Sequence, residues 1–155
     1  MVYKLTKKAD ELESFTLDEG TKTIKKVRGA AGYEEIAEYS AEIKKEEIVT
    51  ISDKGDDMAK KAATGDVILG VLAERPKPDV QAPYVEGLVE LLGSIEYLPL
   101  KTANAAIKAN DRIKLEATGA DKGTATSPFV SLETIPASDP KEVIKVFLPL
   151  AGALS

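Results

Sequence analysis

The sequence lacks the two side chains on which much enzyme chemistry depends, because its 155 residues include no Cys and no His. Without Cys there is no disulfide framework, thiol nucleophile or thiolate metal site. Without His, the commonest general base and the commonest metal ligand are also missing. Carboxylates alone could run glycoside hydrolysis, but Trp is absent and aromatic residues make up only 5%, which disfavours a sugar-stacking platform. We therefore expect no enzyme activity, no catalytic residue, no metal and no cofactor.

Targeting and ligand-binding signals are also scarce. No run approaches the roughly 18 apolar residues that a membrane span needs. The N-terminal stretch MVYKLTKKADELESF has no apolar core of the kind that signal peptides carry, so we expect neither export nor a membrane partner. Glycine-rich phosphate loops, nucleophile elbows and the HExxH zinc motif are absent as well.

The charge balance argues against nucleic acid. The chain has 21 basic and 26 acidic residues and a net charge of −5, whereas phosphate neutralisation needs a basic surface. One basic cluster, KTIKKVRG at 22–29, is typical of a solvated strand face. Asn and Gln total three, and Lys outnumbers Arg 18 to 3 amid many Glu residues, a pattern that predicts a thermophilic source.

The distribution of charge along the chain divides it into two regions. Residues 1–61 hold 26 of the 47 charged residues, and most Val, Ile and Leu residues follow them. We expect residues 1–45 to form a charged N-terminal arm or peripheral layer, and residues 46–155 to form a β-barrel core. Leucines and phenylalanine are too sparse in residues 1–20 to make a core of their own, so that stretch is expected to be mobile in the isolated protomer.

Most of the apolar segments have the pattern of β-strands. Turn residues separate short alternating or continuous apolar runs at intervals of roughly 10–15 residues, which predicts a barrel or sandwich. The segment 83–93 fits a helix face or a strand, and Gly87 in its middle favours the strand. The segment 33–47 has helical spacing with two misplaced apolar residues, so a helix and an irregular extended segment are both open. The strand parities predict nine mostly buried residues: Val67, Leu69, Val71, Ile113, Leu115, Val130, Leu132, Val143 and Phe147.

An acidic segment at 53–66, DKGDDMAKKAATGD, requires a check for a calcium loop. Asp53, Asp56 and Asp57 crowd around Gly55, but the positions after Asp57 do not supply the alternating oxygen ligands of an EF-hand. Asp and Gly are turn residues in their own right, so we expect a solvated turn and no metal site.

Two segments echo one another. AATGDVILGVLAE at 62–74 and AAIKANDRIKLEATG at 105–119 each place small residues before a Gly-Asp or Asn-Asp pair that is followed by apolar residues. Such pairs tolerate left-handed backbone and start strands. We expect each pair to start a strand of one barrel, so that the repeat is architectural.

These echoes, the loop at 119–126 and the last strand at 143–148 resemble the small head-decoration proteins of tailed phages and related archaeal viruses. The resemblance covers about residues 55–150 and rests on Ala62, Ala63, Gly65, Asp66, Val67 and Leu69, and on Ala105, Ala106, Asn110, Asp111, Ile113 and Leu115. It implies a small β-barrel or β-tulip-like domain, mainly β with at most one or two short helices.

The resemblance also implies a function and partners. Proteins of this kind form homotrimers on the outside of an icosahedral capsid, where they stabilise the lattice of the major capsid protein. The expected location is the capsid surface of the virion, after assembly in the host cytoplasm. The rival hypotheses are a cellular β-barrel interaction module that forms a homo-oligomeric assembly, and, less favoured, an enzyme using carboxylates.

The C-terminal segment LPLAGALS carries no charge. Exposed leucines there would leave an apolar patch in water, which soluble monomers tend to avoid. Burial between subunits of a closed ring removes the same patch from every copy. We therefore expect the oligomer interface to include Leu148, Leu150 and Leu154.

Overall fold

The fold is known from a computed structural model that describes residues 11–155, and all regular elements in this range are β-strands. The expected mainly-β class is thereby confirmed. Residues 1–10, which include the start of the expected arm, lie outside the described residues. In chain order the strands are β1 (Leu12–Leu17), β2 (Lys22–Gly29), β3 (Gly32–Tyr39), β4 (Ile48–Ile51), β5 (Met58–Lys61), β6 (Gly70–Glu74), β7 (Val85–Leu91), β8 (Gly93–Pro99), β9 (Arg112–Glu116), β10 (Gly119–Lys122), β11 (Phe129–Ser131) and β12 (Val143–Pro149).

Five strands form a closed barrel in the order β1-β5-β4-β6-β7, which we call the first barrel. Strand β1 pairs antiparallel with β7 along its full length and parallel with β5 at its end. Alternate side chains of β1 point inward, so that Phe15 and Leu17 are buried beside Val49, Leu72 and Val89. Strand β1 is therefore part of the barrel core, and the expected boundary between residues 45 and 46 falls inside the first barrel.

The other large sheet has the order β10-β9-β11-β12-β8, and its two edges meet. A parallel bridge joins Leu100, just after β8, to Ala120 of β10, and the Lys101 amide donates to the Ala120 carbonyl at 3.0 Å. The approach is so close that a Cβ on Gly119, which has a φ of +126°, would lie 2.7 Å from the Lys101 nitrogen. Only glycine suits that position. We call this rolled sheet the second barrel.

The two barrels have the same topology. Strand β8 corresponds to β1, and β9, β10, β11 and β12 correspond to β4, β5, β6 and β7. In each barrel the first strand runs antiparallel to the last and meets the third barrel strand in parallel. Equivalent hydrogen bonds also occur: the Glu46 amide donates to Leu72 O at 2.7 Å, and the Asn110 amide donates to Ser131 O at 2.8 Å. The described chain is thus an internal duplication.

The duplication corrects the repeat expected from sequence. The turn at 108–111 does start a strand, but it is β9 of the second barrel, whereas the turn at 63–66 precedes β6 of the first. In the first barrel, the turn equivalent to 108–111 is the turn at 44–47. In both turns a carboxylate accepts from the amide three residues earlier, Glu47 from Lys44 at 2.7 Å and Asp111 from Lys108 at 2.8 Å. The turn at 63–66 has the same bond, from the Ala63 amide to the Asp66 carboxylate at 2.8 Å, so the echo marks a shared type of turn.

A hairpin of β2 and β3 is inserted into the first barrel between β1 and β4. The possible helix over 33–47 is wrong, and the extended alternative is correct for Gly32–Tyr39, which pairs residue for residue with β2. Successive side chains of a strand point to opposite faces, so the side chains that share a helical stripe in sequence lie on both faces of the ribbon. The preference for a strand over 83–93 is confirmed by β7.

The two barrels share a hydrophobic interface. Val130, Leu132 and Phe147 belong to the second barrel but are buried in one cluster with the core of the first. Of the nine residues expected to be buried, seven are buried or half-buried, and Leu115 and Val143 are exposed. Val143 has the opposite strand parity to the buried Ile144, whereas Leu115 has the parity of the buried Ile113 but lies near the end of β9. Removal of such side chains from water, at roughly 25 cal/mol per Å² of apolar area, stabilises the joined barrels.

Candidate functional site

The most distinctive surface of the described chain is the β2–β3 hairpin. Its strands form a separate two-stranded sheet, and no other strand of residues 11–155 pairs with either edge. One face carries apolar side chains in water, with Tyr33 70% exposed and Ile24 43% exposed. A hairpin alone is marginally stable, so it needs support from the body or from a partner.

Charges are separated between the two strands. Strand β2 has three Lys and one Arg and no acidic residue, whereas β3 has three Glu and no basic residue. Lys26 lies directly opposite Glu35, and the Lys25 ammonium is 3.7 Å from the Glu38 carboxylate. Both side chains of that ion pair are more than half exposed, so it stabilises the hairpin little. The hairpin thus presents one basic and one acidic edge.

A buried ion pair fixes the root of the hairpin. The Glu19 side chain is fully buried, and its carboxylate accepts two bonds from the Arg75 guanidinium, at 2.8 and 2.9 Å. The Ile43 amide donates a third bond to the same carboxylate at 2.7 Å. Because Glu19 precedes the hairpin and Ile43 follows it, this carboxylate ties both ends of the insertion to the barrel.

Neighbouring groups reinforce the root. The Arg75 guanidinium lies 6.0 Å from the centre of the Tyr39 ring, close enough for a cation–π contact. Hydrogen bonding to Glu19 raises the pKa of Arg75 above its usual range, and burial, followed by the charge of Glu19, raises the pKa of the Tyr39 phenol. Arg75 therefore stays charged and Tyr39 neutral throughout the physiological pH range.

A second set of hydrogen bonds joins the hairpin to the proline-rich loop at 75–83. The Lys22 ammonium donates to the carbonyls of Val80 and Ala82, at 2.6 Å in each case. Three prolines in nine residues stiffen this loop, so the carbonyls are held in place. The hairpin consequently leaves the barrel from a fixed base, while its far end reaches solvent.

The three leucines expected at an oligomer interface do not lie in one environment. Leu150 is 47% exposed, whereas Leu148 and Leu154 are half-buried. The last residues pack on their own chain, because the Leu154 carbonyl accepts from Gly65 at 2.7 Å and its amide donates to Asp66 at 2.8 Å. Their role in an interface stays a prediction.

A cavity of about 280 Å³ lies where this tail meets the two barrels. Among the described residues that line it, Arg112 alone is charged, and its guanidinium already donates to the Ser127 carbonyl at 3.1 Å. Within residues 11–155 no three acidic side chains gather as a metal site would require. The same residues include no helix of the length and hydropathy needed to cross a membrane.

Sequence reasoning missed the hairpin as a functional element. The basic cluster is a strand with a solvated face, as expected, but for its acidic partner strand the sequence leaves a helix and an irregular extended segment both open. A signal was present, because GAAG separates a stretch with only basic charges from one with only acidic charges. Opposite charges flanking a short glycine-containing loop are typical of cross-strand pairing.

Comparisons with protein-family models, with curated proteins and with solved structures gave no match.

Proposed function

We propose that this protein is a structural component of an icosahedral virion, binding the outer surface of the capsid and stabilising the lattice of the major capsid protein. The observation that carries the proposal is the β2–β3 hairpin, which projects from a doubly anchored root and exposes Tyr33 and Ile24. A rigid base and exposed apolar side chains suit a surface that is buried on assembly.

The body of the protein suits the same role. Two barrels joined by a shared apolar cluster form a stiff platform, since core side chains are close-packed and resist deformation. The resemblance of the turns and strands to head-decoration proteins supplies the type of assembly. A homotrimer on the shell is the form that this resemblance implies.

The face of the hairpin bearing Tyr33 and Ile24 is the proposed contact with the shell. Tyr33 has a polar tip and a large apolar ring, which makes it a typical anchor at protein interfaces. Arg28 stacks over that ring at 5.2 Å and limits its motion. Less conformational freedom is then lost when the ring is buried.

The experiment uses empty shells assembled from the major capsid protein encoded by the same genome. Purified wild-type protein should co-sediment with these shells, remain in the supernatant with unassembled capsid subunits, and raise the temperature at which the shells come apart. Absence of co-sedimentation at micromolar concentration would contradict the proposal, and would favour a cellular interaction module if the protein still self-associates.

Point variants localise the contact. Tyr33→Ser should weaken co-sedimentation by about tenfold or more, because interface tyrosines commonly contribute more than 1 kcal/mol. The matched control is Tyr84→Ser, which removes a ring that is 52% exposed on the body. Equal effects of the two substitutions would exclude the hairpin face as the contact.

A further inference from the structure

We propose that the hairpins of neighbouring copies join edge to edge, with the basic strand β2 of one copy beside the acidic strand β3 of the next. The inference rests on the proposed function for its setting, but its evidence lies in the hairpin alone. It names the surface through which one copy of this chain recognises another.

The first step is whether the outer edges of β2 and β3 are covered. A strand at the edge of a sheet presents unpaired backbone N–H and C=O groups, which can bond to another strand. Proteins usually protect such edges by covering them, by using very short strands or bulges, or with charged side chains, especially Lys. Charge of one sign repels a second edge of the same sign, but it attracts an edge of the opposite sign. Strands β2 and β3 are eight residues each, their register is unbroken, and no strand of residues 11–155 covers them.

The second step is the choice of partner strand. Like charges on directly opposite strands are destabilising, and opposite charges are favourable. Pairing β2 with a second β2 would bring four cations against four, and pairing β3 with β3 would bring three carboxylates against three. Pairing β2 with β3 of the next copy places every basic strand between two acidic ones. Charge therefore selects one of the three possible arrangements.

The third step is the symmetry that follows. An interface between two different surfaces, here a basic and an acidic edge, is head-to-tail and closes into a ring when the rotation between copies allows it. A two-fold dimer, in contrast, would place identical edges together, which the charges disfavour. The proposed mode thus leads to a cyclic assembly, the class to which a trimer belongs.

The test uses three charge variants of the full chain in solution, without shells. The all-basic hairpin carries Glu34→Lys, Glu35→Lys and Glu38→Lys, and the all-acidic hairpin carries Lys25→Glu, Lys26→Glu and Arg28→Glu. The swapped hairpin carries all six substitutions. Lys22 is left unchanged because it anchors the root.

We expect each single-strand reversal to weaken self-association by about 100-fold, since every copy then presents two edges of one sign. The swapped hairpin should associate as the wild type does, because its edges are again complementary. An equimolar mixture of the all-basic and all-acidic variants should regain association, which separates edge repulsion from simple melting of the hairpin. Sedimentation velocity measures all four samples.

Reversal variants that associate like the wild type, or a mixture that fails to regain association, would overturn the edge-to-edge mode. Neither result would bear on shell binding, which is measured separately by co-sedimentation and the Tyr33→Ser variant. If the charge variants associate as expected but the protein does not bind shells, the edge-to-edge mode is supported and the capsid role is refuted.

Discussion

Glu46 and Asn110 have the same left-handed backbone conformation, with φ of 73° and 78°, at equivalent turns of the two barrels. Each lies one residue before the side chain whose carboxylate accepts the hydrogen bond of the turn. The Glu46 amide donates to β6, and the Asn110 amide donates to the equivalent strand β11. Asn tolerates this conformation through its short polar side chain, whereas Glu has no such advantage. The first barrel therefore retains a turn whose residue is not the best suited to it.

Replacing Glu46 by Asn should stabilise the protein. The Glu46 side chain is exposed, so nothing is lost, and relief of the left-handed strain should raise the free energy of unfolding by about 0.5–1 kcal/mol. Chemical denaturation followed by circular dichroism measures the change. The control Lys45→Asn, at an exposed neighbour without positive φ, should stay within about 0.5 kcal/mol of wild type. A Glu46→Asn variant no more stable than this control would refute the expectation.

Arg75→Met should be strongly destabilising. Within residues 11–155, the substitution leaves the buried Glu19 carboxylate with the Ile43 amide as its one remaining donor, and breaking one partner of a buried ion pair costs about 3–5 kcal/mol. The control Lys25→Met breaks the exposed pair with Glu38 and should cost less than about 1 kcal/mol. Thermal and denaturant unfolding compare the two variants, and similar losses would show that the hairpin root is not held as described.

Phe147→Ala should affect both barrels at once. Phe147 lies on a strand of the second barrel but is buried in the core cluster of the first, so the cavity should cost about 3–5 kcal/mol. We expect the variant to retain a single unfolding transition, since the core cluster of the first barrel includes side chains of the second. Val143→Ala, on the same strand and face, removes an exposed side chain and is the control. Two separate transitions in the wild type would contradict a shared core.

The strand content could be predicted from sequence because it depends on local patterns. Alternation around Ile113 and the apolar run before Leu72 required only period-two reasoning and turn residues. The duplication could not be predicted, because many equivalent positions carry different residues and the few identical ones are scattered. Met58 corresponds to Gly119, and Gly87 corresponds to Ile144, so the barrels share backbone geometry with little shared sequence.

Strand β1 was missed for a related reason. Phe15 and Leu17 are the only apolar residues that it sends inward, and in sequence they stand among charged and hydroxyl residues. Their burial depends on pairing with β7, whose partner residues are about 70 positions away in sequence. Long-range pairing of this kind has no local signature. The thermophilic source stays a prediction from composition.

We expect the first barrel to fold without the hairpin, because the equivalent connection in the second barrel contains no hairpin. There, only six residues lie between Leu100 and Ile107, whereas the hairpin lies between their equivalents Leu17 and Ile43. Since Lys22 and Tyr39 are paired, an Asn-Gly turn can replace residues 23–38 between them. This hairpin-shortened chain keeps both the Lys22 anchor and the Tyr39 contact with Arg75.

The most direct test of the central claim, that the hairpin is the assembly element of a self-sufficient body, is the molar mass of the hairpin-shortened chain by light scattering. We expect a folded monomer across micromolar concentrations that no longer co-sediments with shells, while the intact chain forms a closed oligomer that does. A shortened chain that still oligomerises and binds shells as the intact chain does would contradict the claim.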